Sequence, residues 1–194
     1  MATMIITTKG ADLSIKNIMK DLNYMIDSTI EDKFDTRKET SLLITYMDMN
    51  ECDNALYFEQ SKRNLRLWIA TSNLTIRFTV LNYASVYDLS SVYNYHKNSG
   101  HVLVFSQDFD EDENLKTFKN IAESAFKCNA KSSIERAICF FYIRGKICIR
   151  VYLVKDCNEI GPRLDLELDR IFEGCFKGKK LYSKEKSNDE IAEE

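Results

Sequence analysis

The chain has 194 residues and a formal net charge of −3, with 44% hydrophobic residues that include 11 Phe and 10 Tyr. This apolar content can bury a substantial interior, which excludes a disordered chain, and no stretch approaches the ~18 consecutive apolar residues of a membrane helix. The opening Met1-Ala2-Thr3-Met4-Ile5-Ile6 is a short apolar run without a basic start, so no signal peptide is expected and the protein reads as soluble and intracellular.

In chain order, Met4–Thr8 predicts a short strand and Lys9-Gly10-Ala11 a turn. Asp12 is placed to cap a helix whose Ile15, Ile18, Met19, Leu22, Met25 and Ile26 fall on one face. The polar run Asp27–Lys38 is expected to cross the surface as a connection. Thr40–Asn50 is compatible with strand or helix, because Leu42-Leu43-Ile44-Thr45-Tyr46 has strand propensity while Leu43 and Met47 suit a helical face. Three strands come next, Ala55–Gln60, Leu65–Thr71 and Thr75–Asn82, with connections short enough for hairpins. Tyr83–Ser99 reads as a connection with a short helix near Val86–Leu89.

Gly100 opens a second half. His101–Phe105 predicts a strand, and an acidic loop leads into a helix with Leu115, Phe118, Ile121, Ala122, Ala125 and Phe126 on one face. Arg136–Ile143 and Lys146–Val154 predict strands joined across Arg144-Gly145, where glycine accepts positive φ. The single proline stands in Glu159-Ile160-Gly161-Pro162-Arg163, a sharp entry into a strand in which Leu164, Leu166 and Leu168 alternate with Arg163, Asp165, Glu167 and Asp169. Strand, helix and a run of antiparallel strands thus occur twice. The expectation is an α/β (α+β) chain of two similar halves, each a mainly antiparallel sheet with helices. The halves are placed at about 1–95 and 96–186, with an acidic, disordered tail at 187–194.

Catalytic and metal motifs are missing from the sequence. It contains no Gly-rich phosphate loop, G-x-S-x-G or H-E-x-x-H. Cys52, Cys128, Cys139, Cys148, Cys157 and Cys175 form no C-x-x-C pair, and His96 and His101 have no cysteine beside them, so no metal site is expected. These absences predict a non-enzymatic protein without cofactor. The charge is unevenly distributed. Asp108–Glu113 holds five acids in six residues and Ser187–Glu194 four in eight, and setting those nine aside moves the remainder from −3 to +6.

The mildly basic body carries its cations on turns and strand faces. Lys62, Arg63 and Arg66 surround one hairpin turn, with Trp68 two residues on. Arg144, Lys146 and Arg150 surround another. Lys177, Lys179 and Lys180 come after the last leucine strand, and Lys33, Arg37 and Lys38 lie on the early connection. Arg163 stands at a strand mouth, where a guanidinium could fork onto phosphate or stay solvated. Such residues would hold phosphates without reading sequence, while loop aromatics could stack on unpaired bases. Core packing is the favoured reading for Trp68, because Leu67 and Ile69 beside it read as buried.

Several motifs in order resemble those of the Brix family. Glu159-Ile160-Gly161-Pro162-Arg163, with Ile171-Phe172-Glu173-Gly174 and then Phe176, Gly178, Leu181 and Tyr182, is similar to the family's closing motif. Ala55-Leu56-Tyr57-Phe58-Glu59, with Leu67-Trp68-Ile69 and Phe78, resembles its central hairpin. Phe105-Ser106-Gln107-Asp108-Phe109-Asp110 and Lys146-Ile147 with Ile149, Arg150 and Tyr152 are similar to later strand ends. The likeness spans roughly Met4–Lys186.

The resemblance favours helix for Thr40–Asn50. It implies two halves each similar to an anticodon-binding domain. It also implies a nucleolar, non-enzymatic factor of ribosome biogenesis, serving the large subunit in the Tyr-Phe-Glu and Phe-Glu-Gly versions seen here. The implied partners are precursor rRNA of the large subunit, a second assembly factor forming a heterodimer, and the pre-60S particle, with no membrane and no small-molecule substrate. An exposed sheet edge or groove for the partner is implied as well. On this basis Arg163 and the lysines after it become the leading RNA contacts. The alternatives are a sister factor of another pre-ribosomal step, or a protein-interaction scaffold that barely touches RNA.

The chain departs from the family pattern at Cys148, where a tryptophan is usual, at Gly174-Cys175-Phe176-Lys177-Gly178, at Asn73-Leu74 and at His101. Basic end extensions common in the family are absent, and the sequence reads as a shortened version that keeps the core.

Overall fold

The structure, a computed structural model, describes residues 2–35, 39–62, 64–89, 99–128 and 133–184, with 32 and 33 described by backbone alone. The acidic stretch expected at 187–194 lies outside the described residues. In chain order the elements are β1 (Ala2–Thr8), α1 (Leu13–Met25), β2 (Ser28–Phe34), α2 (Leu42–Met49), β3 (Cys52–Gln60), β4 (Leu65–Thr71) and β5 (Leu74–Ala84). The second half contains β6 (Gly100–Phe105), α3 (Asp108–Glu111), α4 (Glu113–Ala125), β7 (Ile134–Ile143), β8 (Lys146–Leu153), β9 (Arg163–Glu173) and β10 (Lys180–Ser183).

The strands form one ten-stranded sheet in the order β2-β1-β3-β4-β5-β9-β8-β7-β6, with β10 paired to β9 off that path. In the first half β1 runs parallel to β3, and β3, β4 and β5 form an antiparallel meander. In the second, β6 runs parallel to β7, and β7, β8 and β9 repeat the meander. The expected duplication of strand, helix and antiparallel strands is therefore present. The halves do not keep separate sheets, because the last meander strand of each, β5 and β9, pair antiparallel from Leu74↔Glu173 to Ala84↔Arg163.

Alternation along the strands sends side chains to two faces. On one face α1 and α4 share a core with both halves. Ile5, Leu56, Phe58, Ile69, Phe78, Ile138, Phe140, Ile149, Leu164 and Leu166 meet Ile15, Ile18, Leu22, Phe118, Ile121 and Phe126. Phe140 is the centre of an aromatic cluster, stacked on Phe105 at 4.6 Å and edge-on to Phe126 at 5.4 Å and Phe118 at 5.6 Å. The carboxyl end of α4 reaches across to the first half. Thr3 Oγ1 donates to Ala125 O at 2.8 Å, and Ser124 Oγ donates to Asn54 Oδ1 at 2.9 Å.

On the other face α2 covers only the first half, where Leu43 and Met47 pack with Phe34, Tyr57, Trp68, Cys175 and Phe176. Thr75 ties the 174–177 segment into this layer, its Oγ1 donating to Gly174 O and accepting from Phe176 N, both at 2.8 Å. Trp68 is core, as expected. It is stacked on Phe172 at 5.9 Å and donates Nε1–H to Glu59 at 2.8 Å.

Four expectations need correction. Residues 28–34 of the polar connection form strand β2, because an edge strand with a single neighbour tolerates polar side chains while Phe34 is fully buried. Asp12 precedes α1 but makes no side-chain cap, since its carboxylate accepts from Gln60 Nε2 instead. In the acidic run Asp108–Glu111 forms helix α3, and Asp112 caps α4 by accepting from Asn114 N and Leu115 N at 2.8 and 2.9 Å. Val86–Leu89 is a hydrogen-bonded turn, and β10 was not foreseen. The Arg144-Gly145 hairpin holds both residues at positive φ, 51° and 80°, the two-residue geometry that matches strand twist.

The turn after β5 is fastened to both halves. Asp21 of α1 accepts from Val86 N at 2.8 Å, and Leu89 Cδ1 lies so close to Gly161 that a Cβ there would meet it at 2.5 Å. Burial, with Asp88 adding to it against the Val86 bond and Lys20, raises the Asp21 carboxyl from 3.8 to about 6. Its folded value lies above the unfolded one, so its contribution to stability is complete below pH 3.8 and is lost as pH rises through about 6. Asp21→Asn keeps the acceptor and removes the charge. The variant should be more stable than the parent at pH 7–8, with the gap closing as pH falls below 5, as read by urea unfolding across pH. A gap independent of pH would contradict the assignment. Phe140→Ala should cost about 3–5 kcal/mol in the same assay, and a loss under about 1 kcal/mol would mean the ring cluster is not the shared core.

Candidate nucleic-acid interface

The strand register sorts the cations into two groups at opposite ends of the sheet. Along β9, Arg163 lies opposite Ala84 and Glu173 opposite Leu74, which defines the two ends. The β3–β4 turn carries Lys62 toward the Arg163 end, since Arg66 lies opposite Thr79 and Thr79 opposite Glu167. The β7–β8 hairpin points toward the Glu173 end, because Ile147 lies opposite Leu166 and Lys146 stands beside Glu167. Lys177, Lys179 and Lys180 lie at or just before β10, whose Lys180 pairs with Phe172 at that same end. Arg144, Lys146, Lys177, Lys179 and Lys180 thus share one end of the sheet.

These five side chains are exposed and form no ion pair among the described residues, as is also true of Lys62. Arg37, Lys38 and Arg63 lie outside the described residues, as does the Lys33 side chain. Arg163 is differently placed. Its Nε and Nη2 donate to the two carboxylate oxygens of Glu159 at 2.5 and 2.6 Å, and that bond raises its affinity for the proton further. Arg150 donates to Ile149 O at 2.8 Å, Leu164 O at 3.2 Å and Asp165 Oδ1 at 2.6 Å, so its fork lies within the sheet. Burial works against the Asp165 carboxylate, but Arg150, together with hydrogen bonds from Cys148 and Asn82, outweighs it and holds the group below its ordinary value. Arg66 stands 3.8 Å from Glu59, a looser pair.

The same geometry separates end from face. On the helix-covered side Leu103, Phe105, Ile147, Ile149 and Val151 point into the core, so Val102, Val104, Phe141, Cys148, Arg150 and Tyr152 alternate to the opposite face of the second half. Among the described residues no helix lies on that face. It is apolar over β6 and β7, where Val102 and Val104 are exposed, and internally neutralised over β8 and β9 by the Arg150–Asp165 and Arg163–Glu159 pairs. Among the described residues its outer strand, β6, pairs on one side only. Sequence alone foresaw the basic turns, but not which cations would be taken by carboxylates four residues away or on the neighbouring strand.

Other chemistry finds little support. All six cysteines are free, and no group of three or more His, Cys, Asp or Glu among the described residues could hold a metal ion. His101 Nε2 lies 2.6 Å from Phe126 O, and burial lowers its pKa. Among the described residues no helix is long and apolar enough to cross a membrane.

Comparison with known proteins gives the class. The Brix domain matches residues 8–170, and the chain belongs to the Brix family. It is 30% identical over 194 residues to the Dictyostelium discoideum "Ribosome biogenesis protein BRX1 homolog", covering 91% of this chain and 60% of that protein. It is 28% identical over 205 residues to the Saccharomyces cerevisiae "Ribosome biogenesis protein BRX1", covering 93% of this chain and 70% of that one. The chain therefore spans well under the full length of these relatives. A crystal structure of a probable ribosomal biogenesis protein from Aeropyrum pernix shares the fold at TM-score 0.57 and 11% identity, covering 85% of this chain and 94% of that one.

The two kinds of arginine environment predict different mutants. Arg150→Met leaves two carbonyls and Asp165 short of a partner and should cost about 1.5–3 kcal/mol. Lys146→Met, exposed and unpaired, should stay within about 0.5 kcal/mol. Equal losses in thermal or urea unfolding would mean that the β8–β9 network is not structural.

Proposed function

We propose that the chain is a non-enzymatic ribosome biogenesis factor of the large subunit, acting in the nucleolus on precursor rRNA together with a second assembly factor. The observation that carries this reading is the Brix match across residues 8–170, joined by relatives that bear the ribosome biogenesis name. Residues 1–186 act as one unit of two halves, about 1–95 and 96–186. Arg144, Lys146, Lys177, Lys179 and Lys180 are the principal phosphate contacts, because an unpaired exposed cation can release counterions from RNA at little desolvation cost. Lys62 and Arg66 serve the other end together with Arg163, whose guanidinium is half-exposed beside Glu159, and Arg63, next to Lys62 in sequence, is assigned to the same set. Arg37 and Lys38 extend the set from the early connection, and Arg150 supports it from within the sheet.

A protein partner is supported by a separate observation. Among the described residues the second half offers an apolar face that no helix covers, beside an edge of β6 that no described strand pairs, a surface suited to strand addition or to a docked helix rather than to phosphate. The rival reading is a scaffold that reaches the particle through this face alone.

Salt dependence separates the two. Combined Lys177→Glu, Lys179→Glu and Lys180→Glu should weaken binding to a pre-rRNA fragment and lower the log–log salt slope by ~0.7–0.9 for each phosphate that is no longer held, with unchanged thermal unfolding. Wild-type binding that is flat with salt, or unaffected by the three charge reversals, would favour the scaffold.

A further inference from the structure

At the Arg163 end the chain leaves β5 in a turn whose backbone is anchored several times over. Ser85 is fully buried, and its N and Oγ donate to Asp88 Oδ2 at 2.9 and 2.7 Å. Leu89 N donates to Val86 O at 3.2 Å, and Val86 N to Asp21 Oδ2 of α1 at 2.8 Å. From the second half, a Cβ on Gly161 would lie 3.7 Å from Val86 Cα, so the turn rests on the backbone that enters β9. Tyr87 projects from between these anchors and is 84% exposed. Among the described residues no ring stacks on it and no hydrogen bond holds its hydroxyl.

Arg163 is displayed from the same platform. It lies opposite Ala84 and two residues past Gly161, as Tyr87 lies one residue past Val86. Glu159 takes its Nε and Nη2, which fixes the plane of the guanidinium, while Nη1 has no such bond among the described residues. A ring and a guanidinium edge held on rigid backbone lose little freedom when a ligand docks. The setting is polar, with Asp88 exposed beside the ring and Glu159 beside the arginine, so it lacks the contiguous apolar area of a protein interface core. A nucleobase needs only the flat face of a ring, and its phosphate one donor edge. The two carboxylates oppose a run of phosphates, which limits the place to one nucleotide. Exposed Lys62 and Lys155 stand at the same end for the flanking backbone.

We infer that Tyr87 and Arg163 form a site for one unpaired nucleotide of RNA, the Tyr87 ring stacking on the base and Arg163 Nη1 donating to its phosphate. This deepens the RNA-binding reading above and depends on it. The cations at the opposite end hold phosphates of single and double strands alike. Tyr87 adds a preference for an unpaired base, because in a duplex both faces of each base are already stacked and only a loop, bulge or end can offer one.

The test compares the full chain with Tyr87→Ala, Tyr87→Phe and Arg163→Gln on a short mixed-sequence single-stranded RNA and on the same sequence as a duplex. Thermal unfolding checks that the turn is intact. Tyr87→Ala should weaken single-strand binding at least about 5-fold, and Tyr87→Phe, which keeps the ring, should stay within about 2-fold of the parent. Neither should change duplex binding. Arg163→Gln should lower the log–log salt slope on the single strand by ~0.7, the share of one phosphate. Parent-like single-strand affinity in Tyr87→Ala, an equal loss on the duplex, a loss in Tyr87→Phe as large as in Tyr87→Ala, or an unchanged slope in Arg163→Gln would each overturn the site. In all of these the parent's own binding would still uphold the RNA-binding reading. RNA binding unchanged in Tyr87→Ala with loss of a co-purifying assembly factor would overturn it in favour of a protein contact. A parent that binds neither RNA would defeat the RNA-binding reading and this site with it.

Discussion

The antiparallel pairing of β5 with β9 is the constraint on which the rest of the molecule depends. Each strand ends the antiparallel meander of its own half, and each has its inner edge satisfied by the other over Leu74↔Glu173 to Ala84↔Arg163. An unpaired inner edge would leave a line of backbone donors and acceptors without partners. Once the seam closes, the two helix-bearing faces become continuous, and α4 packs against strands of the first half through Thr3, Asn54 and Phe78. The shared core is a consequence of that seam rather than a separate feature.

The seam also decides where charge can go. Side chains in the middle of the sheet face either the helices or the opposite layer, and charged ones there are paired, as Arg77 with Asp169 at 2.5 Å and Arg150 with Asp165 at 2.6 Å. Burying an unpaired cation would be costly, so among the described residues of the sheet the free cations lie at turns and strand ends. Arg144, Lys146, Lys177, Lys179 and Lys180 gather at one end because the β7–β8 hairpin and β10 both lie beside the same stretch of β9. Ends available to phosphate and a face available to protein are thus set by one topology.

Much of this was legible in the residues. The apolar stripes of α1 and α4 and the Leu164-Leu166-Leu168 alternation predicted helix and strand because each element buries one face. The elements that sequence missed lacked such a stripe. β2 carries Glu31 and an exposed Ile30 on an edge with one neighbour, and β10 is four residues held by β9 alone. The Asp12 side chain turned to Gln60, a partner 48 residues away that no local pattern announces. For the basic residues the type and turn location were readable, but their availability was not. Arg163 and Arg150 look as free in sequence as Lys146, and only the folding of the 159–163 segment and the pairing of β8 with β9 bring Glu159 and Asp165 to them.

The central claim is that this Brix-family chain meets precursor rRNA directly. In-cell ultraviolet crosslinking of the tagged protein, with sequencing of the attached RNA and mapping of the crosslinked peptides, tests it most directly. The account predicts crosslinks in large-subunit precursor rRNA, with peptides that contain the 144–146 hairpin and the 177–180 segment. No RNA above background, with assembly factors still co-purifying, would contradict it and leave the protein acting through the apolar face of its second half alone.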